Sequence, residues 1–232
     1  DDANFEGTES LILTLQPSSS YVLGGNTTAT VSIADNDSPP CTAPVIGFAS
    51  TAPTIDQSID AVWNNTPAGT INNVTLGGMP SDFAGSRWRA MYDATNLYVL
   101  VEVKDNNKFN DSGGSWWEDD VVEIFIDGDN SKGTSYDGAN DFQLGFRYNS
   151  PSVHVGGNSV NNTTGIVFAI QNISGGYNVE AGIPWSTIGV NPSTGSRIGF
   201  DISVDDDDNG GVRDSQVTAF ATTSQGWANP GL

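Results

Sequence analysis

Apolar and polar positions alternate with a period of two along most of this chain, in short runs of Val, Ile, Thr and aromatic residues. The runs recur about every ten residues between clusters of Asn, Gly, Asp and Ser, and no helical period persists beyond about three turns. The pattern predicts strands over 11–15, 28–34, 87–92, 97–103, 121–127, 142–148, 166–171, 177–183, 198–205 and 216–221. With 27 glycines and 11 prolines available for turns, the expected fold is all-β, an antiparallel sandwich of two packed sheets.

Two of these strands carry chemistry on one face only. Val122, Ile124 and Ile126 alternate with Val121, Glu123 and Phe125, and Phe142, Leu144 and Phe146 alternate with Gln143, Gly145 and Arg147. If the two polar faces adjoin, Glu123, Gln143 and Arg147 line one patch. Trp116 and Trp117 stand just before the first of these strands. Indole beside a carboxylate suits a sugar, whose C–H faces pack on aromatic rings while its hydroxyls seek charged or amide partners. Trp117 is the expected stacking ring, and its neighbour Trp116 is expected to point elsewhere. Trp63, Trp88 and Trp185 sit in apolar alternating runs and are expected in the core.

The stretch Ser38-Pro39-Pro40-Cys41-Thr42-Ala43-Pro44 is too rich in proline for a central strand. It sets the expected domain organisation: a fragment over 1–37, a linker over 38–44 and a full domain over 45–232. Net charge is −20, from 8 Lys and Arg against 28 Asp and Glu. Such a surface repels phosphate backbones and anionic lipid, so nucleic acid and membranes are poor partners. Cys41 is the single cysteine and cannot form an internal disulfide. No run approaches the roughly 20 apolar residues of a membrane span. The opening Asp1-Asp2 leads straight into strand-like sequence, which reads as a piece of a longer extracellular or cell-surface protein with its targeting signal upstream.

Glu6-Gly7-Thr8-Glu9, the run Leu11 to Leu15, and Thr30-Val31-Ser32-Ile33-Ala34 closing on Asp35-Asn36-Asp37 resemble the C-terminal part of a Calx-β domain. Two or three strands alone leave an open edge and little core. Beyond the linker, Ile55-Asp56, Asp60, Trp63, Asn96-Leu97-Tyr98-Val99, Trp117, Asp120, Val122 to Asp127, Asp141, Gln143, Val179-Glu180, Trp185 and Ile198-Gly199-Phe200 occur in an order that resembles a family 9 carbohydrate-binding module. The resemblance implies a jelly-roll sandwich that grips an oligosaccharide or polysaccharide chain end, of glucose or xylose type, between two tryptophans without catalysis. It places Trp117 and Trp227 as the sandwiching rings, with Glu123 and Gln143 on the sugar hydroxyls. Gly145, Arg147 and Ser224 depart from the family pattern, and Arg147 is expected to supply the cation that Gly145 cannot.

The resemblance also implies structural calcium, for which Asp105, Asp111, Asp129 and Asp141 are loop candidates. Asp205 and Asp207 add a further possibility, since Asp205-x-Asp207-x-Asn209-Gly210 matches half an EF-hand loop, although Gln216 stands at the twelfth position and no helical pattern flanks it. Glu118, Asp119, Asp120 and Glu123 could suggest a glycosidase, yet neighbours on one strand alternate faces and do not oppose each other across a cleft. His154, the only histidine, lacks metal-motif neighbours and reads as a surface or edge-strand residue. The competing function is a calcium-stabilised structural or adhesive module within a multidomain protein.

Overall fold

The computed structural model describes residues 8–34, 44–193 and 195–231. The chain divides into two compact units, Asp1–Val45 and Ile46–Leu232. Cys41, most of the proline-rich linker and both ends of the Calx-β-like segment lie outside the described residues. What is described of the first unit is a hairpin of β1 (Glu9–Thr14) and β2 (Thr28–Ile33). Leu11 faces Val31 and Leu13 faces Ala29 across it, and Leu11, Leu13, Val31 and Ile33 are all half exposed.

The second unit holds β3 (Gly47–Phe48), β4 (Gly69–Thr70), β5 (Asn73–Leu76), β6 (Arg87–Tyr92), β7 (Asn96–Lys104), β8 (Val121–Asp127), β9 (Asp141–Arg147), β10 (His154–Val155), β11 (Val167–Ile173), β12 (Gly176–Pro184), β13 (Gly199–Asp206) and β14 (Ser215–Thr218). Two short 3-10 turns, Ala61–Asn65 and Trp116–Glu118, are the helical pieces among the described residues. One sheet runs β10-β9-β8-β13-β14-β5 and the other β11-β12-β7-β6-β3, with β4 also on β6. Pairing is antiparallel throughout except for β3 on β6, which is parallel. The fold is thus the expected β-sandwich, with every long predicted strand present.

Period-two alternation builds the core from both sheets. Val122, Ile124 and Ile126 of β8, Phe142, Leu144 and Phe146 of β9, and Ile202 and Val204 of β13 meet Leu97, Val99, Val101 and Val103 of β7 and Val179, Ala181 and Ile183 of β12 in one buried cluster. Trp88 and Trp185 join it. The outer face of the second sheet is covered separately by Trp63, which packs on Ala49, Met91, Tyr98 and Leu100.

Covering that outer face buries a carboxyl. The Trp63 indole N–H donates to Glu180 Oε1 at 2.9 Å, while Glu180 Oε2 has no partner. Burial outweighs that hydrogen bond and, with the charges of Asp56 and Asp60, pushes the carboxyl up to about 7. An unfolded glutamate titrates near about 4.3, so the folded state holds its proton more tightly and loses stability as pH rises through about 7. Melting temperature should therefore decline across that window, and less steeply in Glu180→Gln.

Candidate functional site

Outside the core, the first sheet presents its other face in aligned rows. Arg147, Val121 and Asp205 share one row, Gly145, Glu123 and Ser203 the next, and Gln143, Phe125 and Asp201 the third. The second and third rows floor a cleft of about 540 Å³. Trp117, on the 3-10 turn before β8, and Trp227, near the C-terminal end, both line it and stand 40% and 50% exposed. Rings this open on a molecule whose other tryptophans are buried are available to an incoming apolar face.

The floor is polar, buried and incompletely satisfied. Gln143 Nε2 donates to Glu123 Oε2 at 3.2 Å. Glu123 Oε1, Ser203 Oγ and Asp205 Oδ1 have no hydrogen-bond partner. Buried polar atoms normally find partners, so the orphans at Glu123 and Ser203, both of which line the cleft, mark a place where a ligand can supply them, while Asp205 stands in the row behind. Burial, reinforced by the Asp205 charge, holds the Glu123 carboxyl well above the usual range, so it can donate as well as accept. Arg213 lies at 3.0 Å from Asp205 and lines the cleft, as does Gln216.

Each wall is anchored through backbone. Tyr136 donates its hydroxyl to the Gly226 carbonyl at 2.8 Å, Asn158 Nδ2 to the Trp227 carbonyl at 3.0 Å, and the Gly231 amide to the Gly133 carbonyl at 3.1 Å. On the opposite side, Asp119 Oδ1 accepts from the amides of Asp111 and Ser112 and holds the loop that leads into the Trp117 turn.

Trp117, Trp227, Glu123 and Gln143 thus converge. Arg147 does not. Trp116 lies over Gly145 between Arg147 and the cleft, and the guanidinium is committed to Asp119 and to the Gly113 carbonyl. Arg213 and Lys132 are the cations that line the cleft, and the place of Arg213 in the β13–β14 turn, outside any alternating run, left it without a periodic signal. Trp116 also departs from expectation, since it lines the cleft rather than pointing away. Successive side chains in a 3-10 turn diverge by roughly 120°, not the 180° of a strand, so neighbours can share a side.

The predicted calcium candidates separate into two sets. Asp105 groups with Asp120 and Asp206, all buried, and again with Asp82 and Asp208. Asp111 and Asp207 group with Asp119. Asp129, Asp141 and Asp205 join none of these groups. Asp129 accepts from the Ser131 amide, Asp141 from the Asp137 amide, and Asp205 pairs with Arg213. The half EF-hand is a β-hairpin turn, in which Asp207 Oδ1 accepts from the amides of Asn209 and Gly210. Burial pushes Asp105 up to about 6, Asp206 to about 7 and Asp120 to about 9, and neighbouring carboxylates add to each shift.

A family model described as carbohydrate family 9 binding domain-like matches residues 55–232. The chain is 37% identical over 179 residues to endo-1,4-beta-xylanase A of Thermotoga neapolitana, a match over 77% of this chain and 16% of that protein. It is 38% identical over 175 residues to exoglucanase XynX of Acetivibrio thermocellus, over 75% of this chain and 15% of that protein. The chain therefore spans under a sixth of the length of these relatives. Among solved structures, a family 9 carbohydrate binding module from Caldicellulosiruptor kristjanssonii in complex with cellotriose superposes with a TM-score of 0.69 at 26% identity, covering 81% of this chain and 89% of that one. Its complex with glucose gives the same TM-score and identity, over 80% and 91%.

One glycine sets the floor. A Cβ at Gly156 would stand 1.9 Å from Gln143 Oε1, so Gly156→Ala should force Gln143 off Glu123. A loss of ~1–3 kcal/mol is expected from such overpacking, measured by urea unfolding, together with weaker binding of any ligand held by that pair.

Proposed function

This chain belongs to the carbohydrate family 9 binding domain-like family, and we propose that it holds a neutral glucose- or xylose-type chain end between Trp117 and Trp227. The observation that carries this reading is the pairing of two half-exposed indoles with a floor on which Glu123 Oε1 and Ser203 Oγ lack partners. Rings on either side take the C–H faces of a pyranose, and the floor takes its hydroxyls. Arg213 donates to hydroxyl oxygens while balancing Asp205 and Glu123. A net charge of −20 favours an uncharged glycan. Glu123 and Asp205 belong to one buried network with Arg213 and do not face each other across a gap, an arrangement suited to binding and not to glycosidic cleavage.

The relatives extend far beyond the matched region. That fits a module which concentrates a larger secreted or cell-surface protein on polysaccharide. No helix among the described residues is long and apolar enough to cross a membrane. The exposed apolar side chains of the β1–β2 hairpin call for a further layer, consistent with a piece of a neighbouring Calx-β domain.

Isothermal titration with cellotriose and xylotriose tests the reading. Trp117→Ala and Trp227→Ala should each lower affinity about tenfold or more, the scale of a lost aromatic contact. Absence of binding to both sugars, or unchanged affinity in Trp117→Ala, would overturn it.

Calcium at the acidic groups completes the proposal. Asp105 Oδ2 and Asp206 Oδ2 of one acidic group, and Asp207 Oδ2 of the other, are buried without partners, hard oxygens that suit Ca2+. Asp105 follows β7 of one sheet, whereas Asp120 precedes β8 and Asp206 ends β13 of the other, so an ion there would tie the two sheets together near the Trp117 loop. Chelation should lower the melting temperature and weaken sugar binding, and added Ca2+ should restore both. A lower melting temperature in a protein that binds no sugar would favour an adhesive or spacer role.

A further inference from the structure

The wall that carries Trp117 is supported by a chain of rings. Trp117 meets Trp116 edge to face, with centroids 5.8 Å apart and planes at 83°. Trp116 in turn stacks on His154, with centroids 5.5 Å apart and planes at 19°. His154 Nε2 lies 3.2 Å from Ser150 Oγ, which fixes the orientation of the imidazole.

The seat for Trp116 is made by backbone pairing. Gly145 on β9 lies directly opposite His154 on the edge strand β10 and opposite Glu123 on β8. A Cβ at Gly145 would fall 2.3 Å from Trp116 Cζ3, so the absence of a side chain there is what lets the indole lie flat on the sheet. Trp116 is accordingly only 7% exposed although it borders the cleft. The 3-10 turn bearing Trp117 has no side-chain cap at its N-terminus. The direct polar contact of the Trp117 indole is with Glu118, its own neighbour on that turn, at 3.1 Å. The Trp116 ring is therefore the firm body against which Trp117 rests. Burial, and behind it the Arg147 charge, keeps His154 below the usual histidine range against the pull of Asp119, so a neutral flat ring faces Trp116 at neutral pH.

We propose that His154 is a positioning residue for sugar binding: with Gly145 it seats Trp116, and Trp116 sets the plane of Trp117. This rests on the reading of Trp117 as a stacking ring. His154 itself is separated from the ligand by Trp116, so its effect is transmitted through two aromatic contacts and depends on flatness, not on hydrogen bonding to sugar.

Circular dichroism of the full chain without sugar reports the coupled indoles of Trp116 and Trp117, with Trp116→Phe defining the signal to be lost. His154→Ala and Gly145→Ala should lose that signal, and His154→Phe should keep it. Titration with cellotriose should show about three- to tenfold weaker binding for His154→Ala, the scale of one aromatic pair, and recovery in His154→Phe, with both variants shown by their melting transitions to be folded at the temperature of the titration. A His154→Ala protein that keeps the coupled signal and full affinity overturns the proposal, as does equal loss in His154→Ala and His154→Phe. The Trp117→Ala control separates the two ideas. Full cellotriose affinity in that variant refutes the stacking role of Trp117 itself, whereas loss there with full affinity in His154→Ala refutes only the role of His154.

Discussion

Register across β9, β8 and β13 is the constraint from which the rest follows. Because side chains alternate with a period of two, one pairing places Val122, Ile124, Ile126, Phe142, Leu144, Phe146, Ile202 and Val204 inside the sandwich and Glu123, Gln143, Ser203 and Asp205 on its other face, where Val121 and Phe125 join them. A slip of one residue would bury Glu123 and Asp205 among Leu97, Val99 and Val101 and expose the core. The hydrophobic demand for one register thus also fixes the polar floor. Rigid placement of Glu123 beside Gln143 and Ser203 comes from the same pairing and requires no separate device.

Charge is distributed with comparable economy. A chain with few basic residues places Arg213 against Asp205 at the floor and Arg147 against Asp119 behind the Trp117 turn. Both carboxylates are fully buried, Arg147 is buried and Arg213 partly so, and each guanidinium serves a carboxylate whose neighbours are also acidic. Removing either cation would leave a buried carboxylate uncompensated, which costs more than the pair itself contributes. Asp105 after β7 and Asp206 at the end of β13 form no ion pair among the described residues.

The long strands were legible because each spans enough residues for alternation to register. Gly47–Phe48, Gly69–Thr70 and His154–Val155 are two residues long and carry no period, and Asn73–Leu76 is a four-residue edge with a half-buried pattern. At the site, Glu123 and Gln143 could be placed by alternation, and Trp117 and Trp227 by resemblance. Arg147 was misplaced because sharing a face is not sharing a cleft: Trp116 stands between, seated on a glycine whose significance lies in the space it leaves. Arg213 and Trp116 escaped because turns do not follow a two-residue rhythm. Sequence periodicity therefore speaks for the sheet, and geometry for the loops that close over it.

The segment bearing Trp227 is tied to its surroundings largely through its own main chain, by Tyr136 at Gly226, by Asn158 at Trp227 and by Gly133 at Gly231. None of these bonds consults the side chains of Ser224 or Ala228. Ser224 borders the cleft yet bears no duty in holding the wall, so its side chain can change without loosening it. The cleft is accordingly built like an interchangeable jaw: its recognition surface can drift toward new glycans, in evolution or in a library, while the hinge points that keep it closed stay constant.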